Sequence, residues 1–467
     1  MSGSLPSAAH HRRADASGAG RLDSRRQRNT TAHALAASYL RAGGWDRDGI
    51  SNEQVDAAEQ WVLAASKWDV AGGWRARLYG GELWVKMLKV EPHWAERTSV
   101  LRLVLAAVAQ KPQLAAFDVV YVHNDRDPAP RLSRVPARSV APRPAGDRSN
   151  WPLLTNAHEQ GRRSLPLPDY SFAGWHTHTA PWCTLAQRMQ DGATLAGPWD
   201  NRTDLAFFSG NLRIGTHRKQ LRRLSLNASD SADVLLVRDV GSTFFVPGSG
   251  GGPGRGTSPP LPMHRLCAYR YLISVPGFGY SNRLKSLLSC ESVVIHVRTP
   301  WDEFFMPQLQ HERHLYVVPT VADIIPAVHR LRANPALARR IARAGANYAR
   351  HHLSFGRVLG YVQQLLAAVG HVSAPPRPPD ANYTRVASAR DLARIAQLCD
   401  CGTAKRPTRQ RCAAQFGLNA TRAEPATSRA RGASFERLRM LRCCEGWDCS
   451  QPVCEGSRSV EGDGGVS

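Results

Sequence analysis

The sequence predicts an α/β fold of two Rossmann-like units facing a cleft, and three observations carry that prediction. Short β-branched and aromatic runs such as Phe117 to Val122, Leu205 to Phe208 and Ser292 to Val297 have the length and composition of strands buried on both faces. Between such runs lie stretches with apolar residues three and four apart, the spacing of amphipathic helices. The alternation comes in two successive groups that meet near residue 200. With 467 residues, 42% of them apolar, the chain is long enough for two or three domains at about 150 residues each.

Residues 1–35 are rich in Arg, Ser, Ala and His without an apolar cluster, so they are expected to be disordered. They have no apolar h-region of a signal peptide, and read either as an organelle transit peptide or as the start of an incomplete gene model. The first unit, 36–200, is introduced by a helix at Ala32 to Leu40. It continues with a helix at Gln54 to Lys67, a hairpin near Trp74 to Val90, a helix at Ser99 to Ala109 and the strand at Phe117 to Val122. That strand ends in the polar run His123-Asn124-Asp125-Arg126-Asp127-Pro128, at the end of a strand where open α/β sheets bind ligands. Pro and Arg then dominate from Pro128 to Arg148, a surface loop.

The second unit, 201–369, opens with the strand Leu205 to Phe208, followed by Ser209-Gly210 and a basic helix from Thr216 to Leu226. A strand at Val234 to Val237 leads into a Gly/Pro/Ser insert, Pro247 to Pro262, whose prolines forbid the helix of a dinucleotide fingerprint. Next come strand Tyr271 to Val275, a Gly-rich turn at Gly277 to Gly279, helix Asn282 to Leu288, and strands Ser292 to Val297 and Leu315 to Val318. Helices follow at Ala322 to Leu331, at Ala336 to Ala349 behind the cap Asn334 and Pro335, and at Phe355 to Val369. A Pro-rich linker (370–390) and a Cys-rich tail (391–467) close the chain.

The net charge of +23 would suit nucleic acid, but only seven of the 61 basic residues are Lys and the Arg residues are scattered over an Ala-, Gly- and Pro-rich chain. Coding bias explains that pattern, no zinc-finger, basic-zipper or RRM pattern accompanies it, and no nucleic-acid partner is expected. The longest apolar run, Leu103 to Ala109, falls short of the roughly 18 residues of a membrane span. Of ten Cys, seven (Cys399, Cys401, Cys412, Cys443, Cys444, Cys449, Cys454) crowd the tail without a C-x-x-C or His partner, so disulfides fit better than zinc. Five N-x-S/T sequons, at Asn29, Asn201, Asn227, Asn382 and Asn419, point to the same oxidising compartment.

Gly277-Phe278-Gly279-Tyr280-Ser281-Asn282-Arg283 lies between a strand and a helix, where backbone N–H groups attract anions and Arg283 adds charge. Phe208-Ser209-Gly210 followed by Arg218 repeats that arrangement, and two such turns in one unit suggest a nucleotide diphosphate. Asp127, from the other unit, is either a base for a hydroxyl or a turn residue before Pro. His176 and His178 read as a surface loop rather than metal ligands. Glu303, in Trp301-Asp302-Glu303-Phe304-Phe305, either meets a ribose or ring or caps the next helix.

Leu165-Pro166-Leu167-Pro168-Asp169-Tyr170-Ser171-Phe172, Phe207-Phe208-Ser209-Gly210 with Arg218, Tyr269-Arg270-Tyr271, Gly277-x-x-x-Ser281-x-Arg283 and Trp301-x-Glu303-Phe304-Phe305 occur in the order expected of glycosyltransferase family 90. The chain resembles that family, which comprises protein O-glucosyltransferases and capsule-associated O-xylosyltransferases, from about Tyr79 to Val369. The resemblance implies a GT-B-like fold and an inverting transfer of glucose or xylose from a UDP-sugar to a protein or glycan hydroxyl, without a metal or other cofactor. It implies that Asp127 is the base and that Ser281 and Arg283 hold the diphosphate, with Arg218 nearby. Ser209, Gly210, Gly277 and Glu303 would line the donor pocket and Cys267 and Cys290 would be bridged, in an endoplasmic reticulum or Golgi lumen or outside the cell. Many relatives carry Arg where Ser209 stands, which motivates a second reading as a catalytically weakened sugar-binding relative; a polyanion-binding protein is a third.

Overall fold

The β-branched runs fold as strands of two sheets. A computed structural model describes residues 32–65, 70, 72–89, 94–124, 151–159, 162–173, 182–227, 233–240, 261–387 and 391. Asp127, His176 and His178, the Pro/Arg loop, nearly all of the Gly/Pro insert, the N-terminal 31 residues and the Cys-rich tail lie outside the described residues.

The first half starts with α1 (residues 32–43), α2 (Asn52–Ala64), β1 (Gly72–Tyr79) and β2 (Glu82–Lys89). It continues with α3 (Trp94–Gln110), β3 (Phe117–His123), β4 (Leu153–Thr155), β5 (His158–Glu159), β6 (Leu165–Pro166) and α4 (Trp182–Leu195). Ser51 caps α2 through a reciprocal pair with Gln54, which starts the helix two residues before its apolar pattern begins. The sheet of the first unit is mixed, where a Rossmann-like unit is expected to be all parallel. Gly80 and Gly81 both have positive φ, 59° and 79°, and form a two-residue turn that makes β2 the antiparallel neighbour of β1. β1 is in turn antiparallel to β3, and only β3, β4 and β6 run parallel, so this sheet is mixed.

Every residue of β1 up to Leu78 is buried, including Arg75 and Arg77. Both guanidiniums meet the buried Asp118 of β3, and Arg75 also donates to Glu59 of α2. The Pro-rich stretch read as a linker lies over the same ion cluster: Arg77 donates to the carbonyls of Arg377 and Pro378. β13 (Thr384–Arg385) then adds an antiparallel strand to β2, so the sheet order is β13-β2-β1-β3-β4-β6.

The second half contains β7 (Thr203–Gly210), α5 (Thr216–Asn227), β8 (Leu235–Asp239), β9 (Tyr269–Ser274), α6 (Leu284–Leu288), β10 (Val293–Val297), β11 (Trp301–Asp302) and β12 (Tyr316–Val318). It closes with α7 (Ile324–Ala333), α8 (Pro335–His352) and α9 (Phe355–Val372). Asn334 caps α8 by accepting from the Leu337 N–H, with Pro335 as first residue, as the sequence predicts. The five main strands are all parallel and ordered β8-β7-β9-β10-β12. This is a doubly wound order whose direction reverses between β7 and β9.

Phe208, Tyr271, Ile273, Val293 and Ile295 bury one face of this sheet against α7 and α8. On the other face Phe207, Leu272, Val294, Leu284, Leu287 and Leu288 belong to the same core as the first half, which α9 joins through Val358, Val362 and Leu366. Antiparallel pairing of β11 with β5 is a further tie between the halves. No helix among the described residues is long and apolar enough to cross a membrane.

Cys267 and Cys290 form a disulfide closing a loop across 23 residues. Replacing both by Ser is expected to lower unfolding stability by about 3 kcal/mol, the loop-closure entropy returned to the unfolded chain, measured by denaturant melts of matched oxidised samples.

Candidate active site

The carboxyl ends of β7 and β9 flank the point where the strand order reverses, and both predicted anion-binding turns meet there. Ser209 and Gly210 are the last two residues of β7, paired with Arg238 and Asp239, rather than a turn beyond it. The Arg283 guanidinium donates from Nη1 to the Ser209 carbonyl and lies 4.7 Å from the Phe208 ring centroid. Arg218, in the first turn of α5, reaches the same ring at 5.8 Å and donates to the Asn211 carbonyl at 3.4 Å. The Phe208 ring is therefore within cation–π reach of both guanidiniums.

The helix expected from Asn282 is shorter than its pattern suggests. α6 begins at Leu284 with Arg283 as its N-cap, because Asn282 and Arg283 are committed to tertiary partners. Five residues give little dipole, so attraction for an anion rests on side chains. Ser281 Oγ and Arg283 Nη2 are both buried without a hydrogen-bond partner among the described residues. Burial first, and then the neighbouring charge of Arg218, push the Arg283 pKa down to about 9. Among the described residues no carboxylate forms an ion pair with Arg283. A half-buried cation with an enclosed, unpartnered Nη2, near a second cation, is a site arranged for a multiply charged anion.

Two glycines let the turns touch. Gly277 leaves room for Arg218, whose Nη2 would stand 3.4 Å from a Cβ at that position. Gly215 has φ +66°, and a Cβ there would fall 2.0 Å from the Gly277 carbonyl oxygen. Gly215→Ala is therefore expected to force the turns apart, lowering stability by about 2 kcal/mol or more and weakening nucleotide binding; thermal unfolding and titration calorimetry measure the two effects. Gly215 escapes sequence reasoning because its partner lies 62 positions away.

On the opposite side of the β9 loop, residues of the Leu165 to Phe172 motif hold it. Tyr280 donates its hydroxyl to Asp169 Oδ2 at 2.9 Å, and Asn282 Nδ2 donates to the Tyr170 hydroxyl at 2.9 Å. The Tyr170 ring lies 5.9 Å from the ring of His123, the last residue of β3. His123 is fixed in turn by Asn156 Nδ2 at 3.1 Å and the Tyr121 hydroxyl at 3.2 Å. One aromatic ring thus separates the carboxyl end of β3 from the β9 loop, and Asp127, four residues further on, lies outside the described residues.

Glu303 follows β11 and is buried beside Lys285 of α6, with Oε1 3.5 Å from Nζ. Desolvation raises its pKa to about 8, with Asp169 adding to the rise and Lys285 opposing it. Of the residues singled out by sequence, Ser209, Gly210, Arg218, Gly277, Ser281 and Arg283 meet at the strand ends. Glu303 joins them through Lys285, whose ammonium donates to the Asn282 carbonyl at 2.7 Å. Among the described residues no three His, Cys, Asp or Glu side chains group as a metal site.

A sequence profile described as Glycosyl transferase family 90 matches residues 114–403, well over half of the chain. The chain belongs to glycosyl transferase family 90. The family match starts just before β3, so the β1–β2 hairpin lies outside it. O-glucosyltransferase rumi of Drosophila pseudoobscura pseudoobscura is 26% identical over 261 residues, 53% of this chain and 61% of that protein. Protein O-glucosyltransferase 1 of Rattus norvegicus is 29% identical over 170 residues, 36% of this chain and 42% of that protein. The rumi homolog of Anopheles gambiae is 29% identical over 175 residues, 37% and 43% of the two chains. The matched stretch covers less than two thirds of each of these curated relatives.

Proposed function

We propose that this family member is an inverting glycosyltransferase of GT-B-like, two-domain arrangement that moves glucose or xylose from a UDP-sugar to a hydroxyl of a protein or glycan. The names of the relatives favour glucose and a protein acceptor. The single observation that carries the reading is the pair of guanidiniums, Arg283 and Arg218, beside the orphaned Ser281 Oγ at the reversal point of a parallel sheet.

In this scheme the diphosphate lies against Arg283, Arg218 and Ser281, with Gly210 and Gly277 giving the loops their close approach. The acceptor hydroxyl attacks the anomeric carbon from the face opposite UDP. Its O–C bond forms as the bond from the anomeric carbon to the phosphate oxygen breaks, and Asp127 takes the hydroxyl proton. The guanidiniums, already charged and held in place, stabilise the negative charge on the departing UDP, the role a divalent ion fills elsewhere. Ser209 lends its backbone carbonyl to anchor Arg283, so a side chain other than Arg at this position is compatible with the cation pair. The Cys267–Cys290 bridge supports a lumenal or extracellular setting.

UDP release from a panel of UDP-sugars, with and without a divalent-metal chelator, tests the scheme. Chelator-resistant release with UDP-glucose or UDP-xylose is the expected result. UDP binding without release from any donor would favour the weakened, binding-only reading, and no UDP binding would overturn the donor site.

A further inference from the structure

Tyr280, Ser281, Asn282 and Arg283 alternate in their commitments. Tyr280 and Asn282 are tied to Asp169 and Tyr170, whereas Ser281 Oγ and Arg283 Nη2 are left for a ligand. What fixes that alternation is a buried triad behind the loop. The Lys285 ammonium stands 3.5 Å from Asp169 Oδ1 and 3.5 Å from Glu303 Oε1, lies 4.4 Å from the Phe172 ring centroid, and holds the Asn282 carbonyl at 2.7 Å. All three ionisable residues are about 1% exposed.

The triad does not balance its own charge. Two carboxylates face one ammonium, and Asp302 of β11 adds a further negative charge acting on Glu303. A buried uncompensated carboxylate is held neutral by a proton. Hydrogen bonding decides which one carries it. Asp169 accepts from the Ser171 N–H at 3.0 Å, the Ser171 hydroxyl at 2.5 Å and the Tyr280 hydroxyl at 2.9 Å, donors that already occupy both of its oxygens. Glu303 has only Lys285, and its Oε2 is buried without a partner among the described residues. The carboxyl with the free oxygen, Glu303, is therefore the one that carries the proton.

We propose that Asp169, Lys285 and Glu303 act as a proton-dependent clamp, positioning residues that hold Tyr280 to Arg283 in the shape that binds the donor diphosphate only while Glu303 keeps its proton. This rests on the donor-site reading above. Ionised, Glu303 draws Lys285 away from Asp169 and the Asn282 carbonyl, and the loop that presents Ser281 and Arg283 loses its anchor. Burial and Asp169 set that loss near pH 8, within reach of experiment.

The test is UDP affinity of the full chain by titration calorimetry between pH 7 and 9, with circular dichroism at each pH to confirm folding. In the wild type the dissociation constant is expected to rise above about pH 8, approaching tenfold per pH unit as one proton is lost. Glu303→Gln, which cannot ionise, should lose the rise that begins near pH 8 and keep only the later one, near pH 9, that loss of the Arg283 charge brings. Asp169→Asn removes the charge that keeps Glu303 protonated, so it should move the rise to lower pH. A merely structural triad would weaken binding in both variants by a pH-independent factor. A flat wild-type profile with UDP bound, or an unchanged alkaline rise in Glu303→Gln, overturns the clamp while leaving the donor site standing. No UDP binding by the wild type at any pH overturns the donor site and the clamp with it.

Discussion

Arg283→Met is expected to separate stability from function, making the unliganded protein more stable while removing most of its affinity for UDP. The folded chain binds the Arg283 proton more weakly than the unfolded chain, through burial and then Arg218. The charge therefore destabilises the fold throughout the neutral range and is relieved only as pH climbs above about 9. A methionine fills comparable volume over Phe208 without a charge, and such replacements of buried ions stabilise by about 1–4 kcal/mol. Loss of a desolvated partner for the diphosphate costs about 3 kcal/mol of binding, roughly a hundredfold in affinity. Thermal unfolding and calorimetry on the same preparation read both effects. A variant that melts earlier and still binds UDP normally would show that the guanidinium is a structural tie to Ser209 and nothing more.

Asp127→Asn should do the reverse, leaving UDP affinity intact and lowering turnover by about a hundred- to ten-thousandfold, the usual worth of a positioned general base. The amide keeps the size of the side chain but cannot take the acceptor proton. Single-turnover transfer with radiolabelled donor gives the rate, and UDP calorimetry serves as the control. Unchanged turnover would move the base to Asp125 or remove the scheme.

Much of this arrangement is legible in the sequence where a segment's fate is local. β9 and β10 are buried on both faces and read as strands from their β-branched runs. α8 announces its start with Asn334 and Pro335. The pairing of Cys267 with Cys290 and the meeting of Arg218 with Arg283 follow from the family resemblance and from two similar turns in one unit. What escapes is set by distant partners. β1 carries Arg75 and Arg77 into the interior, and what makes that tolerable is distant: Asp118, 43 and 41 positions away, Glu59 on α2 and the carbonyls of Arg377 and Pro378. The helix after the β9 loop loses its first residues to Tyr170 and Ser209, on segments 112 and 74 residues earlier. Asp169 lies in a motif read for its order alone, and its pairing with Lys285 spans 116 positions, beyond any periodicity.

The strap formed by residues 374–387 has a consequence for the order in which the protein is made. β13 pairs Thr384 with Val85 and Arg385 with Trp84, and the Ile50 N–H and carbonyl bond Val372 and Ala374. Strand β2 thus leaves the ribosome about 300 residues before the strand that covers it. At about 5–20 residues per second, its open edge waits roughly 15–60 s for a partner. During that interval the nascent first sheet is an exposed template for other chains, and its neighbours on the same messenger carry the same edge. The first sheet is therefore completed only after the strands and helices of the second half have been synthesised.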